Sequence, residues 1–290
     1  MPHHHRAQAQ QTHQRHHMPQ LHGVAHTLYL PMVVRAQAAV LCPWLDPQDQ
    51  IARDTLARMG TNGSDHPADA ATVINILWRT QKIREIGHDF FERFGDVEGI
   101  NLGAGLSDYF QWLDTGHNHW LDVDLPEVTR LRAQLMPDPL DRHEAVAADL
   151  RVSGWWQRLR LPQKDRHHPV LLIAEGLLMY LQPTEVKAFF EEIGQHAPEG
   201  SELLFDFISP LGIGSVTPAN GNPQEAPVTF TWGAHNGQEI AGFHPRLELL
   251  DQHSVSEAWG WCGSWLDMLC TPMTGGPMYG LAHLKVSDDL

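Results

Sequence analysis

The sequence has few cysteines, few basic residues and no long apolar run. Its 290 residues include only three cysteines, which are too scattered for a disulfide framework or a four-cysteine zinc site. Lysine and arginine together number 20 against 35 acidic residues, and the formal net charge of −15 argues against a nucleic-acid partner. No stretch approaches the roughly 20 consecutive apolar residues of a membrane-spanning helix, so no membrane partner is expected.

The amino-terminal residues 1–23 differ in composition from the rest of the chain. They are rich in histidine and glutamine and show no apolar periodicity, so we interpret them as a disordered, His-rich tail. Imidazole is a common metal ligand, but such a tract has no fixed geometry, and no metal site is predicted. The tail also lacks the apolar centre of a secretory signal, and the expected location is the cytoplasm.

What the chain does have is apolar content: 42% of its residues are hydrophobic, enough to bury a large core. Residues 24–94 show helical periodicity and are predicted to form an N-terminal helical cap. From residue 95 to residue 290, apolar segments first alternate with helical ones, as in a parallel sheet with right-handed crossovers. The predicted parallel strands are Val97–Leu102, Trp120–Val123, Ala145–Ala148, Val170–Ala174 and Leu203–Ile208.

Two further strands are predicted near the end of the chain, at His253–Trp259 and Gly280–Val286, as an antiparallel pair at the sheet edge. Residues 209–245 interrupt the pattern with many glycines and prolines. So long a connection is usually functional or disordered, and we interpret it as a substrate-side insertion. The pattern leaves open whether three late tryptophans pack under the cap or form a subunit contact: Trp259, Trp261 and Trp265. It does not give the oligomeric state.

The segment Gly99–Gly105 carries the strongest chemical signal. An apolar strand runs into the turn Gly103-Ala104-Gly105, where a small ligand can touch bare backbone. Roughly 20 residues later the next strand ends in Asp122 and Asp124, and an acid at this place suits a ribose hydroxyl pair. The pairing predicts a nucleoside cofactor, although Asp108 occupies the place of the third glycine of the dinucleotide fingerprint.

Acids also follow two other predicted strands. Asp149-Leu150 comes after the third strand and Glu175-Gly176 after the fourth. Each acid alone is typical of a turn. Open parallel sheets bind their ligands outside the carboxyl ends of the strands, so the recurrence of acids at these ends predicts one binding rim.

Four motifs on this rim resemble those of the leucine carboxyl methyltransferase family, which includes phosphatase carboxyl methyltransferases and bacterial O-methyltransferases of polyketide tailoring. They are Asn101–Leu106, Val123–Val128, Ala148–Leu150 and Glu175–Leu181, and the bacterial branch is the more similar. The resemblance implies a Rossmann-like α/β class I methyltransferase with a seven-stranded, mostly parallel sheet. It also implies S-adenosylmethionine as cofactor and S-adenosylhomocysteine as product. One difference is Ser107-Asp108-Tyr109, where family members commonly have Asp-Thr-Arg.

The resemblance also implies roles for individual residues. Arg79 would pair with the methionine carboxylate, as a bidentate guanidinium can, and Glu175 would face the methionine end. Either Asp122 or Asp124 would bind the ribose, and Asp149 would accept from the adenine amino group. The implied cofactor contacts are Arg79, Gly103, Ala104, Gly105, Asp122 or Asp124, Asp149, Leu150 and Glu175.

The acceptor side is less defined by the sequence. A sulfonium methyl is already activated, so positioning an acceptor oxygen can supply about 7–11 kcal/mol without a catalytic side chain. A carboxylate acceptor with a pKa near 4 needs no base, whereas a phenol with a pKa near 10 does. His244 and His235 are the candidate bases, and Tyr180, Trp232 and His244 are candidates for the acceptor pocket.

These features together predict an S-adenosylmethionine-dependent O-methyltransferase. Its acceptor would be a carboxylate or hydroxyl of a small, polyketide-like metabolite. One alternative is an NAD(P)-dependent oxidoreductase, which uses the same turn and acid but has a fuller glycine fingerprint. The other is a non-catalytic cofactor-binding protein.

Overall fold

A computed structural model describes residues 28–61, 63, 68–136, 140–164, 168–215 and 228–288, without the side chains at 264, 266, 270 and 273. The predicted tail, residues 1–23, lies outside this part of the chain, as do residues 216–227 of the predicted insertion. The α-helices are α1 Tyr29–Ala36, α2 Ala38–Leu41, α3 Gln50–Met59, α4 Ala70–Phe94, α5 Phe110–Leu113, α6 Pro126–Leu135, α7 Trp155–Arg158, α8 Pro183–His196, α9 Gly237–Ala241 and α10 Gly260–Thr274. The strands are β1 Glu98–Leu102, β2 His119–Asp124, β3 His143–Ala147, β4 Val170–Ala174, β5 Glu202–Ile208, β6 Leu247–Ser254 and β7 Tyr279–Val286.

The strands form one seven-stranded sheet in the order β3-β2-β1-β4-β5-β7-β6. β1 to β5 run parallel, and β7 runs antiparallel to both of its neighbours, β5 and β6. This confirms the predicted mostly parallel sheet with an antiparallel final pair. The strand order reverses between β1 and β4, and in open α/β sheets the ligand crevice lies at such a reversal.

Both faces of the sheet are covered, because successive strand residues point to opposite sides. In β4, Leu171 and Ile173 belong to the apolar cluster that contains the buried face of α4, whereas Leu172 belongs to the cluster of α8. Helix α4 packs against β4 and β5 in the middle of the sheet. The division into a cap and a core stays a prediction. Within the described residues, no helix combines the length and the apolar character needed to cross a membrane.

The strand predicted at His253–Trp259 is wrong. β6 ends at Ser254, and a 3-10 helix follows at Val255–Trp259, before α10. The Ser254 hydroxyl accepts from the backbone N–H of Ser256 at 3.3 Å, and the Glu257 carboxylate accepts from the backbone N–H of Ser254 at 3.2 Å. This reciprocal capping box begins a helix, and it overrides the strand-like apolar pattern that follows.

Candidate active site

The turn after β1 and the end of β2 are joined into one rim. The backbone N–H groups of Gly103 and Ala104 donate to the carbonyl oxygen of Val123 at 2.8 and 3.1 Å. The N–H of Gly105 donates to Oδ2 of Asp124 at 2.7 Å. The glycine turn and the acidic end of β2, which the sequence analysis linked although they are about 20 residues apart, are therefore in direct contact at the carboxyl edge of the sheet.

Two glycines give this turn its shape. Gly103 and Gly105 have φ values of 73° and 54°, a left-handed conformation that strains other residues. A Cβ on Gly103 would lie 2.9 Å from Cδ1 of Leu177, and one on Gly105 would lie 3.0 Å from Cδ2 of Leu28. The left-handed backbone thus favours glycine at both positions, and the neighbouring leucine side chains leave little room for a Cβ.

A small cavity of about 70 Å³ lies beside the turn. Its walls come from α1, α4, the turn after β1 and the segment after β4. Lining residues include Arg35, Arg79, Ala104, Gly105, Glu175 and Tyr180. The cavity therefore brings together five residues that the sequence singled out, and it adds Arg35.

Glu175 is the central charged group of this cavity. Its Oε1 accepts from Nε of Arg79 at 2.6 Å and lies 3.8 Å from Nη1 of Arg35, and its Oε2 accepts from the hydroxyl of Tyr109 at 3.0 Å. Burial alone would raise the pKa of Glu175, but the charges of Arg79 and Arg35 outweigh burial and hold the pKa below its ordinary value. An ionised carboxylate is therefore kept beside two arginines at the cavity wall.

Arg79 is held in one orientation by three acceptors. Besides Glu175, its Nη1 donates to Oδ2 of Asp206 at 3.0 Å and to the hydroxyl of Tyr279 at 2.6 Å. Tyr279 in turn donates to Asp206, whose other oxygen accepts from the N–H of Gly176 at 2.6 Å. No described residue accepts a hydrogen bond from Nη2 of Arg79. This atom lies close to Gly176, where a Cβ would be only 3.2 Å from it. Two N–H groups of Arg79 thus remain for a ligand at the cavity wall.

The two acids of β2 have different surroundings. Asp122 is 1% exposed, and it accepts from Arg132 and from Nε1 of Trp120 at 3.0 Å, with Nε2 of His143 at 2.7 Å. The Asp122 carboxylate is thus enclosed by protein donors, and its ribose role stays a prediction. Asp124 is less buried and lies on the rim, so it is the more accessible of the two ribose candidates.

Asp149 and Leu150 follow β3 on the same rim. Nε and Nη2 of Arg151 donate to the two carboxylate oxygens of Asp149 at 2.8 and 2.7 Å. Leu150 is 8% exposed and belongs to the core cluster of α8. The adenine contact at these residues stays a prediction, and the Asp149 carboxylate that would make it already has an arginine partner.

Three residues predicted for the acceptor side do not line the cavity. His244 lies against Gly194 of α8, and Trp232 is buried in the core cluster of the same helix. Nδ1 of His235 lies 3.0 Å from the carbonyl oxygen of Thr274, at the end of α10. Among the described residues that line the cavity there is no histidine, and the roles of His244 and His235 as bases stay predictions.

Sequence reasoning missed five residues of this network: Arg35, Tyr109, Arg132, Asp206 and Tyr279. Two of them carried a usable signal. Asp206 lies near the carboxyl end of β5 and follows the same rule that identified Glu175, and Arg35 is a charged residue inside the apolar helix α1. Such a charge is rarely buried unless it is paired. The contacts of the other three join distant parts of the chain, and no local pattern shows them.

The Asp122 network also holds the glycine turn, since Nη1 of Arg132 donates to the carbonyl oxygens of Gly105 and Ser107, both at 2.7 Å. Burial alone would lower the pKa of His143, but its hydrogen bond to Asp122 and the charge of that group outweigh burial and raise the pKa. Protonated His143 therefore stabilises the fold.

We expect His143→Gln to lower the free energy of unfolding more near pH 5.5 than near pH 8.5. Because the pKa of His143 is raised in the folded state, its protonated form contributes fully to the free energy of unfolding below the ordinary histidine pKa of about 6.5. This contribution is lost as the pH rises through the pKa of the folded state. Urea unfolding at both pH values measures the effect. The exposed His88→Gln is the control, and an equal loss at both pH values in His143→Gln would contradict the expectation.

The comparisons with known proteins agree with this geometry. The family model described as leucine carboxyl methyltransferase matches residues 7–194. The chain is 25% identical over 216 residues to the tetracenomycin polyketide synthesis O-methyltransferase TcmP of Streptomyces glaucescens, covering 72% of this chain and 75% of that protein. It is 24% identical over 270 residues to the S-adenosyl-L-methionine-dependent methyltransferase dpfgK of Gibberella zeae, covering 85% and 89%.

Among solved structures, the fold is similar to that of a proposed methyltransferase from Thermobifida fusca. The TM-score is 0.50 at 17% identity, and the match covers 90% of this chain and 96% of the other. The strand order is that of the Rossmann-like class I methyltransferase fold. The family match extends over more than half of the sequence, and the chain belongs to the leucine carboxyl methyltransferase family.

Proposed function

We propose that this protein is an S-adenosylmethionine-dependent O-methyltransferase whose acceptor is a carboxylate or hydroxyl of a small, polyketide-like metabolite. The observation that carries the proposal is the pair formed by Arg79 and Glu175 at the reversal of strand order. The Nη2 edge of Arg79, which no described residue pairs, suits a carboxylate, and ionised Glu175 suits an ammonium or sulfonium. S-adenosylmethionine carries a carboxylate for Arg79 and an ammonium and a sulfonium for Glu175.

The two parts of the cofactor would lie on different surfaces. A cavity of about 70 Å³ is small beside the roughly 300–1,000 Å³ of ordinary ligand pockets, so it suits the amino-acid end. The nucleoside would lie along the open rim, with its ribose at Asp124 and its adenine near Asp149 and Leu150. Gly103, Ala104 and Gly105 would allow the backbone to approach it closely.

The chemistry asks little of the side chains. S-adenosylmethionine supplies a methyl group that is already activated on sulfur, and the protein positions the acceptor oxygen. An acceptor that is ionised at neutral pH needs no base, which favours a carboxylate over a phenol.

Family membership supports methyl transfer over the NAD(P)-dependent alternative, and the name of TcmP, a polyketide synthesis O-methyltransferase, supports the acceptor class. A non-catalytic protein would bind the same cofactor but would not transfer its methyl group. We further propose a cytoplasmic location and no nucleic-acid partner, on the charge and composition of the chain.

The proposal is tested by incubating the purified chain with methyl-labelled S-adenosylmethionine and two matched acceptor sets, aromatic carboxylic acids and the corresponding phenols. We expect label in the methyl esters of the carboxylic acids. Binding of the cofactor without transfer to any acceptor of either set would favour a non-catalytic protein. Binding of NAD(H) in place of S-adenosylhomocysteine would favour an oxidoreductase.

Tyr180 tests the acceptor side. Its ring lines the cavity and lies 5.4 Å from the ring of Phe230. We expect Tyr180→Ala to raise the KM for the acceptor by about 10-fold, since burial of one aromatic contact contributes on the order of 1 kcal/mol or more. The loss of cofactor affinity should be smaller than the rise in KM, although Tyr180 also lines the cavity assigned to the amino-acid end. Steady-state kinetics and calorimetry measure the two effects. Trp232→Phe, in the core, is the control for a purely structural loss, and an unchanged KM in Tyr180→Ala would remove Tyr180 from the acceptor site.

A further inference from the structure

Helix α10 carries an exposed apolar face. Trp261, Trp265, Met268 and Leu269 occupy positions i, i+4, i+7 and i+8, which lie on one side of a helix. Their exposed fractions are 76, 58, 58 and 65%. Trp259, next to the start of the helix, is 57% exposed. Single exposed apolar residues are ordinary, but a contiguous group of this size marks an interaction surface.

This α10 face carries no charge. Asp267 is the one charged residue of the helix, and its carboxylate is turned to the protein, where it accepts from the hydroxyl of Ser256. The chain as a whole has a net charge of −15, yet none of that charge lies on the face to attract a basic partner. The partner surface that fits the α10 face is therefore also uncharged and apolar.

We propose that the α10 face binds the α10 face of a second copy of this chain, forming a two-fold dimer. An aromatic side chain offers about 150–250 Å², so the five residues together expose roughly 600–700 Å². This approaches the roughly 800 Å² that each partner buries in a standard protein interface. A two-fold contact needs only one self-complementary patch, and an uncharged face meets its own copy without repulsion. The ridges of its large side chains suit helix-on-helix packing.

Light scattering after size exclusion tests the dimer on the full chain. We expect the wild type to have twice the 32.6 kDa chain mass at micromolar concentration. The double variant Trp261→Glu/Trp265→Glu should be a monomer, with a dimer dissociation constant raised at least about 30-fold, the factor of a 2 kcal/mol hot spot. Met268→Glu/Leu269→Glu should act in the same direction.

The matched control is Trp44→Glu, because Trp44 is also 70% exposed but lies outside α10; this variant should remain a dimer. Circular dichroism should show the same fold in all variants. A wild type that is monomeric at roughly 100 μM, far above the dissociation constants of stable interfaces, would overturn the proposal. So would a dimer that persists in both double variants. A monomer that binds neutral phosphatidylcholine vesicles through Trp261 and Trp265 would also overturn it, in favour of a membrane surface.

Discussion

Replacing Arg79 by lysine is expected to weaken the binding of S-adenosylhomocysteine by about 10- to 100-fold, the range of a lost hydrogen bond between charged groups. The guanidinium contacts Glu175, Asp206 and Tyr279 at the same time and still presents Nη2 to the cavity. A lysine ammonium keeps the charge but has no planar fork to bridge these acceptors. Calorimetric titration of the variant measures the loss.

Arg93→Lys is the matched control for Arg79→Lys. Arg93 lies on the same helix, α4, and pairs with Glu202 at 2.8 Å, away from the cavity. Its replacement should leave cofactor affinity unchanged. If Arg79→Lys bound S-adenosylhomocysteine as tightly as the wild type, Arg79 would not hold the amino-acid end of the cofactor.

The second large effect is a difference between the alanine variants of two aspartates that lie two positions apart on β2. Asp124→Ala should lower the affinity for S-adenosylhomocysteine by about 10- to 100-fold, because the ribose hydroxyls lose their acceptor, while the fold is retained. Asp122→Ala should instead lower the free energy of unfolding by about 3–5 kcal/mol, since it leaves the buried guanidinium of Arg132 without its partner. Calorimetry and urea unfolding measure both properties on both variants.

Each aspartate variant serves as the control for the other. Unchanged cofactor affinity in Asp124→Ala would refute the ribose assignment. A stable Asp122→Ala protein with weak cofactor binding would assign that role to Asp122, which the sequence could not distinguish from its neighbour because both residues lie at the end of the same strand.

The regular part of the fold could be predicted from the sequence. β4 lies at Val170–Ala174, as the sequence predicted, because a strand buried on both faces is uniformly apolar. The parallel direction of β1 to β5 could be expected from the alternation of strands and helices. β6 was misplaced because a short capping box decided the structure between Ser254 and Glu257.

The sequence predicts which strand ends form the rim, but it does not predict which side chains on the rim contact each other. Glu175 was found because it follows a buried strand. The arginine that approaches it from α1, Arg35, is distant in sequence, and nothing local ties the two together. The orientation of Asp122 depends on Arg132 and His143, which come from a helix and an edge strand. Side-chain partners of this kind follow from the packed tertiary structure.

The central claim is that Arg79, Glu175 and the rim at Gly103–Gly105 form one cofactor site. Calorimetric titration of the folded wild-type chain with S-adenosylhomocysteine tests it most directly. We expect saturable binding with one equivalent per chain, lost to a large extent in Asp124→Ala and Arg79→Lys and kept in Arg93→Lys. A folded wild-type protein that binds no S-adenosylhomocysteine would contradict it.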